Sequence, residues 1–188
     1  MLASGSPYRR ALLERLRVPF EWQAPEVDER VRPGEQPRRR AARLALEKAQ
    51  ALRLRHPRAW IIGSDQVAVC DGQLLGKPGS ASAARRQLAA ASGKRVRFLT
   101  AGCLLNACTG TTDAQVDETT VHLRELDPRQ IARYVRHDKP LDCAGGFRAE
   151  ALGIALFERI DSRDPTALIG LPLIWLAQAL SRAGVEVP

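Results

Sequence analysis

The chain reads as an α/β protein, a mixed sheet with flanking helices. Three observations predict this class. Helical and strand patterns alternate through the first half of its 188 residues. The stretch 95–105 reads as a strand and the loosely alternating stretch 114–123 as its antiparallel neighbour, with a polar connection between them. Capped helical patterns then recur to the C-terminus. The length suits one domain, expected over 1–188, with enough chain to bury a core without disulfides.

The elements follow in order. In "GSPYRRALLERLRV", Ser6 caps a helix and Pro7 takes its first position, where a missing N–H costs nothing. Leu12, Leu13 and Leu16 recur on one face. Arg9 and Arg10 stand in the first turn, where the helix dipole disfavours cations unless an anion binds there too. Residues 20–36 hold Pro19, Pro25, Pro33 and Pro37 within or beside them and form a polar connection. A helix over 37–55 follows, with Ala41, Ala45, Ala49 and Leu52 on one face. Trp60 to Val69 is a strand, Asp71-Gly72 a turn, and Leu74-Leu75 a short return. A helix over 82–91 stops near Gly93. Asp127-Pro128 repeats the cap-plus-proline start, with Ile131, Tyr134 and Val135 facing inward. A strand is predicted within 152–160. The last helix turns Leu173, Leu176, Ala177 and Leu180 inward and stops at Gly184.

Composition narrows the class. With 45% hydrophobic and 27% charged residues, the chain has the make-up of a soluble globular protein. No apolar run reaches the roughly 20 residues of a membrane span, and the N-terminus has no secretory pattern. Cys70, Cys103, Cys108 and Cys143 form no CxxC pair and no metal-finger spacing, so they read as reduced, mostly buried thiols of a cytoplasmic protein. The net charge is +8, and residues 28–58 hold ten Arg or Lys against four Asp or Glu. That excess fits a solvated helix face, a nucleic-acid-binding module or a polyanionic nucleotide. The interleaved aromatics of an RNA platform are missing.

The stretch "IIGSDQVAVC" poses the chemical question. Asp65 lies inside an apolar strand, and a buried carboxylate must be hydrogen-bonded, paired or metal-bound. It is either a strand-end cap or a reactive group. Glu29, Glu47, Lys48, Lys77 and Arg9 supply further charges. Carboxylates hold hard divalent ions, and Lys and Arg grip phosphate oxygens. "LLGKPG" lacks P-loop spacing. Gly145-Gly146 can bring backbone N–H groups close to a ligand, with Glu150 following. His56, His122 and His137 read as exposed or structural.

Seven strings in order, "LASGSPYRRALLERL", "APEVDE", "EKA", "IIGSDQV", "GKP", "DCAGGFRAEALGI" and "DPTALIGLPLI", resemble the Maf family of nucleotide pyrophosphatases, and within it the YceF-type subgroup that acts on 7-methyl-GTP. The resemblance spans nearly the whole chain. It implies a fold similar to inosine triphosphate pyrophosphatases, with a cleft between two lobes. It also implies cleavage of a nucleoside triphosphate between its α and β phosphates, a magnesium or manganese ion, a cytoplasmic location and a homodimer. By the same resemblance, Asp65 is the general base and Glu29 joins it at the metal. Arg9, Lys48 and Lys77 contact phosphate, and Tyr8, Gln66 and Glu150 select the base. Ser64-Asp65-Gln66 replaces the "ADT" of general members, which prefer dTTP and UTP. Tyr8 stands where the closest subgroup members carry Trp. A carboxylate at Glu150 suits the N–H donors of guanine, and an aromatic face suits a cationic methylated base.

Overall fold

The computed structural model describes residues 1–187. Its elements are β1 (Leu2–Ala3), α1 (Pro7–Glu14), β2 (Trp22–Gln23), α2 (Pro37–Ala51), β3 (Trp60–Cys70), β4 (Gln73–Leu75) and α3 (Ala81–Ala91). They continue with β5 (Arg95–Asn106), β6 (Thr112–Leu123), α4 (Pro128–Asp138), β7 (Phe157–Asp161) and α5 (Leu173–Arg182). The strand order is β2-β1-β3-β5-β6-β7, with β4 paired to β3. Pairing is mixed. β1 runs parallel to β2 and β3, whereas β4 lies antiparallel on β3 and β7 antiparallel on β6. The α/β class with a central sheet and flanking helices is therefore observed.

The chain forms two compact units. One comprises Met1–Gln66, Leu99–Asp117 and the stretch from Asp164; the other comprises Val67–Phe98 and Glu118–Arg163. In the first, Leu2, Leu12, Leu13, Ile62, Leu104, Leu171, Trp175 and Leu176 share one aliphatic-rich core. α2 lies close on β3 because Gly63 has no side chain. A Cβ there would stand 2.0 Å from the Ala45 carbonyl oxygen and 2.9 Å from the Ala49 nitrogen. The small-residue face of α2 thus lets helix and strand backbones approach.

In the second unit, Phe147 packs edge-on against Phe98 and Phe157, with ring centroids 5.4 and 4.8 Å apart. Asp127 caps α4 by accepting from the Arg129 and Gln130 N–H groups, and Gln130 closes the box on the Asp127 N–H. Asp71 and Gly72 both have positive φ, as the predicted turn requires.

Several expectations change. α2 ends at Ala51 rather than at 55; Pro57 disfavours helical backbone at His56, and turns lead up to it. Residues Leu152–Leu156 are 3-10 helix, and extended chain begins at Phe157. Gly153 is pressed onto the Arg148 backbone, where a Cβ would meet the carbonyl oxygen at 2.2 Å. That tight return leaves no room for a strand. On α5, Trp175 and Ala179 are buried, while Ala177 is only half-buried. Of the four free cysteines, Cys70 and Cys103 are buried and Cys108 is exposed. Among the described residues, no helix is long and apolar enough to cross a membrane.

Candidate active site

Alternation along β3 sorts its polar residues onto two faces. Asp65 points towards α2, where the Lys48 ammonium donates to its Oδ1 at 2.7 Å. The same ammonium meets Glu29 Oε1 at 2.7 Å. Lys48 and Asp65 are both 7% exposed. A lysine so buried needs paired charge, and here it has two carboxylates. Lys48 can reach them because α2 lies so close to Gly63, two residues before Asp65.

Arg9 adds a second cation. Its Nε donates to the Gly170 carbonyl at 2.9 Å, and the Ser64 hydroxyl donates to that same carbonyl at 2.8 Å. Burial lowers the Arg9 pKa, and the charges of Asp65 and Glu29 oppose that shift. Arg9, Lys48, Asp65 and Glu29 thus form one electrostatically coupled group of two cations and two anions. The Ser6 cap on α1 is present, and the first turn holds no acid. Arg10 is engaged elsewhere, with its guanidinium 4.6 Å from the centroid of Trp22.

Gln66 lies on the face opposite Asp65, with Ser64. Its Nε2 is 3.0 Å from each of three acceptors: Thr100 Oγ1, the Ala167 carbonyl and the Leu168 carbonyl. The Thr100 hydroxyl itself donates to the Ala167 carbonyl at 2.9 Å. Three acceptors around one end of an amide identify that end as the NH2 group. The segment bearing these carbonyls is tied down in turn. Asp164 Oδ2 accepts from the Ile174 N–H, and Thr166 Oγ1 accepts from the Leu173 N–H, so both cap α5.

Tyr8 is half-buried in the first turn of α1. Lys77 and Glu150 belong to the second unit, and both are exposed. The loop of Lys77 is held on either side. Gln87 donates to the Gly76 carbonyl at 3.1 Å, and the Gly79 N–H donates to the Leu141 carbonyl at 2.9 Å. The loop of Glu150 is held through Arg148, whose guanidinium pairs with the buried Asp138. The Arg148 N–H donates to the Tyr134 hydroxyl at 3.0 Å, and that hydroxyl donates to Asp138 at 2.6 Å. Burial, then the Asp138 bond, push the Tyr134 pKa up.

The Maf-like protein family model matches residues 1–183. The chain belongs to the Maf family. A 7-methyl-GTP pyrophosphatase of Pseudomonas syringae pv. tomato is 55% identical over 188 residues, covering all of this chain and 98% of that one. Proteins of the same name from Alcanivorax borkumensis and Pseudomonas aeruginosa are 52% and 50% identical, again over the whole chain, and 95% and 98% of their own lengths are covered.

In this Maf protein the carboxylates suit a hard divalent ion in kind. Among the described residues, no group of three or more His, Cys, Asp or Glu could hold a metal alone. Magnesium, however, commonly takes one or two carboxylates and draws its remaining oxygens from substrate phosphate and water. Glu29 and Asp65, sharing one ammonium, fit that pattern. Sequence reasoning missed Ser64, Thr100 and the Gly170 carbonyl as supports around the candidate site. Their only signal was the polar residues flanking Asp65 in an apolar strand, since the partners lie up to 106 positions away.

Proposed function

We propose that residues 1–188 act as one Maf domain that hydrolyses 7-methyl-GTP to 7-methyl-GMP and pyrophosphate. The observation that carries this reading is the full-length identity of 50–55% to proteins bearing that activity in their names. The charge group around Asp65 gives it a chemical basis. Lys48 holds Asp65 Oδ1, and the Asp65 carboxylate accepts a proton from water. That water oxygen bonds to the α phosphorus, the bond from the α phosphorus to the bridging oxygen breaks, and pyrophosphate departs with the electron pair. Arg9, Lys48 and Lys77 stabilise the charge gathering on the leaving phosphates. The Nε bond of Arg9 to Gly170 orients its guanidinium fork, a geometry suited to phosphate oxygens. Glu29 and Asp65 would hold magnesium or manganese, which when bound supplies positive charge to the phosphate oxygens.

Tyr8, Gln66 and Glu150 are assigned to base selection, with Glu150 accepting from guanine N–H donors. The protein is expected to be cytoplasmic and homodimeric. The test is pyrophosphate release from a panel of 7-methyl-GTP, GTP, dTTP and UTP with magnesium or manganese. The highest kcat/KM on 7-methyl-GTP supports the reading. Turnover confined to dTTP or UTP overturns the substrate assignment. Salt-dependent oligonucleotide binding with no pyrophosphate released overturns the enzyme assignment. Asp65→Asn is expected to lower kcat by about 100-fold or more in protein that still folds.

A further inference from the structure

The basic run of α2 reads from sequence as a solvated face, yet two of its arginines are committed to one loop. Residues 24–36 contain no helix or strand, and Val31 there is 51% exposed. Such a segment buries little and opens readily unless it is tied. Glu29 sits in it with its side chain 57% exposed, and its carboxylate still meets Lys48.

The ties come from α2. Arg40 Nη2 donates to the Glu29 carbonyl at 3.1 Å, and Arg43 Nη2 donates to the Arg30 carbonyl at 3.3 Å. Arg43 also grips Glu35 with two bonds, Nε to Oε1 at 2.5 Å and Nη2 to Oε2 at 2.8 Å. Its Nη1 donates to Glu47 Oε2 at 2.9 Å, and Arg32 Nη2 reaches the other oxygen of Glu47 at 2.8 Å. The Arg43 and Glu35 side chains are only 13% and 9% exposed. This is a bidentate, mostly covered pair inside a network, unlike the isolated surface ion pairs that contribute little. Arg40, Arg43 and Glu47 are spaced three and four apart on one helix face, and Lys48 follows directly.

We propose that Arg43, with Arg40, is a positioning residue: the two clamp the 29–35 backbone onto α2 and so place the Glu29 carboxylate against Lys48. Arg43 engages Nε, Nη1 and Nη2 together, which a lysine cannot reproduce. The consequence for turnover rests on the role given above to Glu29, whereas the clamp itself does not.

The experiment therefore has two readouts, on Arg43→Lys, Arg43→Met and Arg40→Met. Amide hydrogen exchange, followed by mass spectrometry, should speed up across 28–35 in each variant and stay unchanged across 60–66. Steady-state kinetics with 7-methyl-GTP should show kcat/KM about tenfold lower in Arg43→Lys, in the range seen when a supporting partner of a site carboxylate is removed. That loss should vanish in a Glu29→Gln background, because the clamp acts through Glu29. Unchanged exchange in 28–35 overturns the proposal; so, where Glu29→Gln itself lowers kcat/KM, does full kcat/KM in Arg43→Lys or a loss that adds fully to that of Glu29→Gln. If Glu29→Gln alone keeps parental kcat/KM, the assignment of Glu29 fails and the exchange result still decides the clamp. Should Arg43→Met not fold, the charge-keeping Lys variant and Arg40→Met decide it.

Discussion

Gly63→Ala tests whether the approach of α2 to β3 sets the geometry of the charged group. The new Cβ would lie 2.0 Å from the Ala45 carbonyl oxygen. A comfortable C···O contact is roughly 3.3 Å, so helix and strand must separate by about 1.3 Å. Carried to the tip of Lys48, that movement stretches its 2.7 Å bond to Asp65 to about 4 Å, beyond hydrogen-bonding range. Overpacking of this kind typically costs about 1–3 kcal/mol. At about 2–4 °C per kcal/mol for a chain of this size, the unfolding midpoint should fall by roughly 2–12 °C. Differential scanning fluorimetry reads that shift, and kcat/KM for 7-methyl-GTP should drop in the protein that remains folded. A parental midpoint together with parental kcat/KM would refute the claim that the Gly63 contact holds Lys48 against Asp65.

Other outcomes follow from particular contacts. Tyr134→Phe removes the hydroxyl that donates to Asp138 and accepts from the Arg148 N–H; urea unfolding should register a loss of about 1–3 kcal/mol. Asp164→Ala strips a cap from α5 and should cost about 0.5–2 kcal/mol in the same assay. The Glu35 carboxyl is drawn from its ordinary 4.5 to about 2, chiefly by its bond to Arg43. A lowered folded pKa stabilises fully above the unfolded value. The advantage of the parent over Glu35→Gln should therefore be constant above about pH 5 and shrink as pH falls from 4.5 towards 2. Burial pushes the Cys103 thiol to about 11, leaving about one thiolate in a thousand at pH 8. Under native conditions, alkylation read by peptide mass should mark the exposed Cys108 and spare Cys103.

Much of the fold was legible because local chemistry and tertiary demand agree. Asp127-Pro128 joins a capping side chain to a residue suited to the first helical position, and Asp71-Gly72 turns a hairpin. The apolar residues from Trp60 to Val69 predict a strand, and the strand observed over Trp60–Cys70 is buried along most of its length. The pairing of Asp65 with charge was legible as a requirement, since a carboxylate there cannot stay alone. Its partner was not, because Lys48 could equally have pointed to solvent from α2. Alternation separates Ser64 and Gln66 from Asp65, but it cannot say that residues 167–170 lie on their side. The return at Gly153 escaped notice because its cause is a contact with the Arg148 backbone, which leaves no periodic trace. The arginines of α2 were misleading for a related reason: in sequence, a cation facing water and one facing a carbonyl look alike.

Helix α2 meets three sets of partners in one register. The backbone at Ala45 and Ala49 abuts Gly63, Arg40 and Arg43 hold the preceding loop, and Lys48 reaches two carboxylates. One inserted or deleted residue between Arg43 and Lys48 would turn everything beyond it by about 100°. The ammonium would then leave both carboxylates even though every side chain was still encoded. In the turn at Pro33-Gly34, ahead of the Arg43–Glu35 pair, an added residue changes no helical phase. Length variation in this part of the chain should therefore accumulate in that turn and be excluded from the helix. Substitution tolerance and length tolerance then part company: solvent-facing positions of α2 can change one at a time, but its residue count cannot.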